Sequence, residues 1–166
     1  MKPSFDTLPP GGLFDDEAEL LWEWASTTEG TMLEVGSAYG RSAVLLGNLA
    51  KDQGRKLICV DPWAGDHGER LYQEFTKNVK GLPITAVRMR VEDWTPESVG
   101  FAYLDGDHSY EATMAQIEKA LACGAPVIAI HDYGEEHGGL LVHAACQDTL
   151  GKPTARADRM VVYWLK

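Results

Sequence analysis

The sequence predicts an α/β fold: a mostly parallel seven-stranded sheet between helical layers, closed by an antiparallel C-terminal hairpin. Three observations carry that reading. From Thr31 onward, short apolar runs alternate with stretches of helical spacing. One run, Pro126–Ile130, is apolar throughout, as a strand covered on both faces must be. The last two runs, Thr154–Ala157 and Met160–Leu165, are separated only by Asp158-Arg159. A parallel return needs a crossover of about a dozen residues or more, so these two must pair antiparallel.

The elements follow in order. Pro9-Pro-Gly-Gly12 closes a short leader, and Asp15–Ser26 carries Ala18, Leu21, Trp22 and Ala25 at helical spacing, an opening helix. Met32–Val35 with its flanks is the first strand. The helix after Gly40 turns Ala43, Leu46, Leu49 and Ala50 inward. Leu57–Val60 is the second strand, and its helix carries Leu71, Phe75 and Val79 at intervals of four. Ile84–Met89 and Phe101–Leu104 are the third and fourth strands, and the helix from Tyr110 repeats Met114, Ile117 and Leu121 on one face. A helix over His137–Leu150 then separates the fifth strand from the hairpin.

With 166 residues, 45% hydrophobic, the chain suits one domain with a real core. There is no internal repeat, low-complexity tract or dividing linker, so residues 1–166 read as one unit, 1–27 being leader and opening helix. Cys59, Cys123 and Cys146 lie in apolar segments without metal-type spacing, which predicts reduced packing residues in a cytoplasmic protein. No apolar run has the length of a membrane span or the look of a secretory signal, so no membrane partner is expected. The net charge is −10, from 25 acidic against 15 basic residues. That balance repels phosphate backbones, which argues against nucleic acid and for a small molecule or sugar as partner. Trp22, Trp24 and Leu13-Phe14 could feed a self-association surface, hence a possible homo-oligomer.

Open sheets of this kind bind ligands beyond the carboxyl ends of their strands, near the point where strand order reverses. The strand ends here carry Glu34 to Gly40, Asp61, Glu92-Asp93-Trp94, Asp105 to His108 and His131-Asp132-Tyr133. Five successive strands thus end in polar or ionisable groups. Gly36 and Gly40 let backbone pass close to a ligand, and the helix after Gly40 offers free N–H groups. The spacing is neither a phosphate-binding P-loop nor G-x-G-x-x-G, because Arg41 stands where the former needs Lys and Ala38 where the latter needs Gly. Asp61, closing the second strand, can accept hydrogen bonds from the hydroxyls of a ribose. Both a nicotinamide dinucleotide and S-adenosylmethionine meet that requirement. Two mononucleotide halves scarcely fit in this length beside the hairpin, so the one-ribose ligand is favoured.

Four motifs taken in order, Glu34-Val-Gly-Ser-Ala-Tyr-Gly-Arg-Ser42, Val60-Asp-Pro-Trp63, Tyr103-Leu-Asp-Gly-Asp-His-Ser-Tyr110 and Ile130-His-Asp-Tyr133, resemble the class I S-adenosylmethionine-dependent methyltransferases. The likeness is closer to the branch of small bacterial O-methyltransferases and macrolide-sugar methyltransferases, and it covers about residues 28 to 166. It implies a Rossmann-like methyltransferase fold. It further implies that Glu34, Gly36, Ser37, Tyr39 and Gly40 surround the methionine and ribose portions of the cofactor and that Asp61 holds the ribose. Trp63 or Trp94 would cover the adenine, with Glu92 and Asp93 at its edge and Asp105 closing the cofactor site.

The resemblance also places Asp105 and Asp132 where metal-dependent relatives hold a divalent cation, with His131 where those relatives usually have Asp or Glu. Hard oxygen ligands would suit Mg²⁺ or Ca²⁺. The imidazole leaves three readings: a softer metal, a His outside the coordination shell, or no metal. His108 matches the position of the general base, and removing a hydroxyl proton near neutral pH is work an imidazole can do. His67, His137 and His143 have no comparable placement. The expectation is methyl transfer to the hydroxyl of a small molecule or sugar, with Asp105 and Asp132 orienting the acceptor. The alternatives are a cofactor-binding module without turnover and a nicotinamide-dependent oxidoreductase.

Overall fold

A computed structural model describes residues 2–95, 97–134 and 139–165. The helices are α1 (Asp15–Ser26), α2 (Arg41–Gln53), α3 (Gly68–Asn78), α4 (Tyr110–Ala122) and α5 (Gly139–Thr149). The strands are β1 (Met32–Val35), β2 (Leu57–Val60), β3 (Ile84–Val87), β4 (Phe101–Leu104), β5 (Val127–Ile130), β6 (Ala155–Ala157) and β7 (Met160–Trp164). They form one seven-stranded sheet in the order β3-β2-β1-β4-β5-β7-β6. β1 to β5 run parallel, while β7 pairs antiparallel with both β5 and β6, as the short turn at Asp158-Arg159 requires.

Alternation along the central strands explains the two cores. Met32, Leu57, Cys59, Phe101, Tyr103 and Ala129 face the layer of α1, α2 and α3. Leu33, Val35, Ile58, Val60, Leu104, Ile128 and Ile130 face α4 and α5. The central strands β2, β4 and β5 are therefore apolar at every position, and β1 at all but Glu34, because successive side chains enter opposite cores. The three cysteines are buried and unpaired.

Predicted and observed elements agree closely, with differences at the edges. β3 ends at Val87 rather than Met89, the Val79 position caps α3, and β7 stops at Trp164. The start of the predicted helix at His137 lies outside the described residues. On α4 the buried face is Thr113, Gln116, Ile117 and Ala120, whereas Leu121 is 44% exposed. The polar Gln116 is drawn inward by two hydrogen bonds to the loop after β4, and this rotates the buried stripe away from Leu121.

Register aligns the strand ends. Val35 is level with Val60 and Leu104, and Leu104 with Ile130, so Gly36, Asp61, Asp105 and His131 stand side by side on one rim. Backbone bonds extend the ladder one step beyond each strand: Gly36 N–H to Val60, Asp105 N–H to Val35 and His131 N–H to Leu104. Strand order reverses between β1 and β4, which puts the topological switch at this rim.

Candidate active site

At the switch point a cleft of about 320 Å³ is lined by Gly36, Ala38, Asp61, Pro62, Arg90, Glu92 and Asp105, among others. Gly36 has a φ of +82°, and a Cβ there would meet the Asp105 carbonyl oxygen at 2.1 Å. Only a residue without a side chain lets the loops after β1 and β4 cross so closely. Gln116 from α4 stiffens the second loop, accepting from Gly106 N–H at 3.1 Å and donating to the Asp107 carbonyl at 2.9 Å.

Asp61 organises the first loop. Its Oδ2 accepts the N–H groups of Ser37 and Ala38 at 2.8 and 3.0 Å, and its Oδ1 accepts that of Trp63 at 2.6 Å. A carboxylate has about four acceptor positions, so three are committed to the backbone and about one is left for a ligand hydroxyl. Ala38, Trp63 and Asp132, each in a loop leaving a strand end, take positive φ of 43°, 40° and 53°. Such conformations are sparsely populated by L residues and persist only when surrounding bonds enforce them.

The other residues expected around a cofactor divide by position. Glu92 lines the cleft, and Asp93 is exposed in the short helical turn Val91–Asp93. Glu34 lies beneath the loop, fully buried, accepting from Ser37 Oγ at 2.5 Å and Cys59 Sγ at 3.2 Å. Burial pushes its pKa up to about 7. Ser37 is buried with it. Trp63 is 2% exposed, wedged against Tyr72 and Phe75, and its Nε1 donates to the Ala38 carbonyl. Trp94 is 6% exposed and belongs to the α4 side core. Neither indole is among the lining of the cleft, because α3 and α4 cover them. Gly40 faces Phe75 of α3, and Tyr39 is partly exposed, its carbonyl accepting from Asn78.

A second cluster shares Asp105 with the cleft. His108 Nε2 lies 3.3 Å from Asp132 Oδ2 and 3.6 Å from Asp105 Oδ1. His131 Nδ1 lies 3.3 Å from Asp105 Oδ1 and 3.3 Å from Asp132 Oδ2. Its other nitrogen, Nε2, bonds Glu17 Oε2 at 3.0 Å. Tyr103 donates to Asp105 Oδ2, and Arg159 donates to Asp132 Oδ1 at 2.8 Å. The Asp105 bond and the charges of both aspartates raise the pKa of His108 against its partial desolvation. Burial alone would lower that of His131, yet Asp105, Asp132 and Glu17 raise it. Asp132 is held low chiefly by the nearby His131 imidazole.

Glu17 and Arg159 were not singled out from the sequence. Glu17 is the third residue of α1 and reaches back to Phe14 N–H at 2.8 Å, half of a capping box. The same carboxylate accepts from Arg159 N–H at 3.2 Å and is itself fully inaccessible. The local signal was an acid on the apolar face of α1, one position before Ala18. His143 stacks edge-on against Tyr133, and His67 precedes α3, both away from this cluster.

Asp105, His131 and Asp132 each offer one donor atom, all within 4.8 Å of one another. The buried Nδ1 of His131 sits between two carboxylate oxygens but is aligned for a hydrogen bond with neither. An orphaned nitrogen facing two acids fits a cation there.

An acid-closed second strand, a glycine crossing and a cleft at the switch point define a nucleoside-cofactor-binding α/β domain. The family model described as a methyltransferase domain matches residues 33–133, and the chain belongs to that family. Comparison with curated proteins finds no match. Among solved structures it is similar to CalS11, the TDP-rhamnose 3′-O-methyltransferase of calicheamicin biosynthesis, with a TM-score of 0.66 at 15% identity over 92% of this chain and 81% of that one. An S-adenosylhomocysteine-bound methyltransferase from Podospora anserina gives a TM-score of 0.67 at 11% identity, covering 90% and 78% respectively. An S-adenosylmethionine-dependent O-methyltransferase from Thermotoga maritima gives 0.72 at 11% identity, covering 98% and 71%. At these identities the likeness establishes the fold.

Proposed function

We propose that this methyltransferase moves the methyl group of S-adenosylmethionine onto a hydroxyl of a small molecule or sugar. One observation carries the reading: Asp105 forms a wall of the cleft that holds Asp61 and also belongs to the His108–His131–Asp132 cluster. Donor and acceptor sites therefore adjoin. The cofactor's sugar lies against Asp61, whose remaining acceptor position takes one ribose hydroxyl, with Glu92 at the adenine edge. Gly36 keeps the floor of the cleft flat enough for the methionine portion.

The acceptor hydroxyl enters beside His108. A carboxylate can only accept, so facing Asp105 and Asp132 commits His108 Nε2 to carrying a proton and leaves Nδ1 as the base. As Nδ1 takes the hydroxyl proton, the oxygen displaces the sulfonium in line, and the two aspartates stabilise the imidazolium that forms. Most of the acceleration comes from holding donor and acceptor in line. A divalent cation, where one is bound, would be held by Asp105, His131 and Asp132 and would polarise the acceptor oxygen. The domain acts as one unit over residues 1–166, in keeping with the cytoplasmic setting its reduced cysteines suit.

Isothermal titration with S-adenosylhomocysteine, followed by methyl-transfer assays over hydroxylated acceptors, tests this. Heat together with transfer to oxygen supports it. Heat without transfer to any acceptor would make the chain a cofactor-binding module, and heat only with NADH would reassign it to redox chemistry.

A further inference from the structure

The cation site differs in one respect from an all-oxygen site of the kind Mg²⁺ prefers: its most deeply buried donor is a nitrogen. His131 is 4% exposed, and its Nε2 is tied to Glu17, a carboxylate with no solvent contact. Glu17 is fixed independently by Phe14 N–H and Arg159 N–H. Because a carboxylate can only accept, Glu17 holds a proton on Nε2, so Nδ1 is the nitrogen left to offer a lone pair to an ion held with Asp105 and Asp132. A histidine that donates its far N–H to a buried carboxylate is the arrangement that orients metal-ligating imidazoles.

We infer that the Glu17–His131 pair converts this site into one for a borderline first-row divalent ion of the Zn²⁺ type, in preference to Mg²⁺. The inference rests on the reading of Asp105, His131 and Asp132 as cation ligands. Spacing agrees with it. Two donors each about 2.1 Å from a common ion, at an angle of about 100–110°, are about 3.2–3.4 Å apart. His131 Nδ1 is 3.3 Å from the nearest oxygen of both aspartates. Chemistry agrees as well, since imidazole suits Zn²⁺, Fe²⁺ and Co²⁺, while Mg²⁺ takes oxygen ligands and keeps its waters. Asp132 is further steadied by Arg159, whose guanidinium occupies Oδ1 and leaves Oδ2 toward the ion.

The test titrates the full chain with ZnCl₂ and, separately, MgCl₂ by calorimetry, and compares His131→Asp. The wild type should bind Zn²⁺, and the variant should lower the Zn²⁺-to-Mg²⁺ affinity ratio at least tenfold. An unchanged ratio overturns the inference. Pulsed electron paramagnetic resonance of Mn²⁺-loaded wild type should detect a coupled ¹⁴N that His131→Asp removes, and absence of that coupling in the wild type also overturns it. If His131→Asp does not fold, Glu17→Gln serves: Zn²⁺ affinity should drop 10- to 100-fold, and an unaltered affinity refutes the role of the pair. S-adenosylhomocysteine is titrated into the same samples. Cofactor heat with no ion binding overturns this inference while leaving the methyltransferase reading intact, and absence of cofactor heat defeats that reading instead.

Discussion

Glu17 and His131, 114 residues apart in the chain, meet through a 3.0 Å hydrogen bond beneath the rim of the sheet. The contact ties the opening helix to the end of β5, and through Arg159 N–H to the turn between β6 and β7. The N-terminal segment is thus part of the wall behind the reactive cluster. Arg41 reinforces it from the other side, donating to the carbonyls of Pro9 and Leu13.

Replacing Glu17 by Ala should destabilise the fold. It strands the His131 Nε2–H and two backbone N–H groups in a dry site, and breaking a buried pair of this kind costs about 3–5 kcal/mol. Thermal denaturation should show Tm lowered by roughly 10 °C in a domain of this size. A change within a degree would mean that solvent reaches these groups after all.

Asp61→Asn should weaken cofactor binding by about tenfold or more. The amide nitrogen would face backbone donors where an acceptor is required, so the glycine loop loosens and the ribose loses its partner. Calorimetric titration with S-adenosylhomocysteine reads this directly, and wild-type affinity would remove Asp61 from the site.

His108→Ala should lower kcat by about 10²–10⁴ and leave the S-adenosylhomocysteine affinity unchanged. The free base is the active form, so in the wild type kcat/KM should climb with pH through a value above the ordinary 6.5, where Asp105 and Asp132 hold the proton. The variant should lack that rise. A variant with the same limb would assign it to another group.

Glu34 gives a stability signature of definite sign. Its carboxyl ordinarily ionises near 4.5 and in the native state near 7, because burial disfavours the charge. Between those values the unfolded chain gives up this proton before the folded one does. Its contribution is therefore complete below pH 4.5, declines as pH rises, and is gone above about 7, a change of about 3 kcal/mol. His131, with its raised pKa, adds a decline that begins above its ordinary 6.5. Urea denaturation at pH 5 and pH 7.5 should show Glu34→Gln losing most of the difference seen in wild type, and an equal difference in both would place the effect elsewhere.

A Cβ at Gly36 would overlap the Asp105 carbonyl and Gly106. Gly36→Ala should push the loops after β1 and β4 apart, costing more than about 3 kcal/mol and abolishing cofactor heat. Gly54, where a Cβ would meet nothing within 4 Å, should tolerate Ala at about 1 kcal/mol, the strain of its φ of +66°.

Most of the architecture was legible in the chain itself. Apolar runs of about four residues, each bounded by a turn, marked β1, β2, β4 and β5, and the two-residue break at Asp158-Arg159 left only an antiparallel hairpin. Parallel strands end level with one another, so a sequence that closes them with Gly36, Asp61, Asp105 and His131 already places those residues on one rim. Local pattern and neighbour order suffice for such statements.

Other properties came only from packing. Glu34, Trp63 and Trp94 look like ligand contacts in sequence because they flank the rim, yet whether a side chain at a strand end turns up to the cleft or down into a core depends on what α3 and α4 cover. Leu121 lost its predicted burial because the inward face of α4 runs through Thr113, Gln116, Ile117 and Ala120, with Gln116 held by hydrogen bonds to the loop just before the helix. Glu17 shows the same limit from the other side. Its place on the apolar face of α1 sets it apart from Asp15, Asp16 and Glu19, but its partners are decided by folding, which brings a histidine and an arginine from the far end of the chain against its carboxylate. The chain alone determined which groups reach the rim, since that follows from strand order. Tertiary structure decided which of them are buried, paired and oriented, since those depend on contacts between residues far apart in sequence.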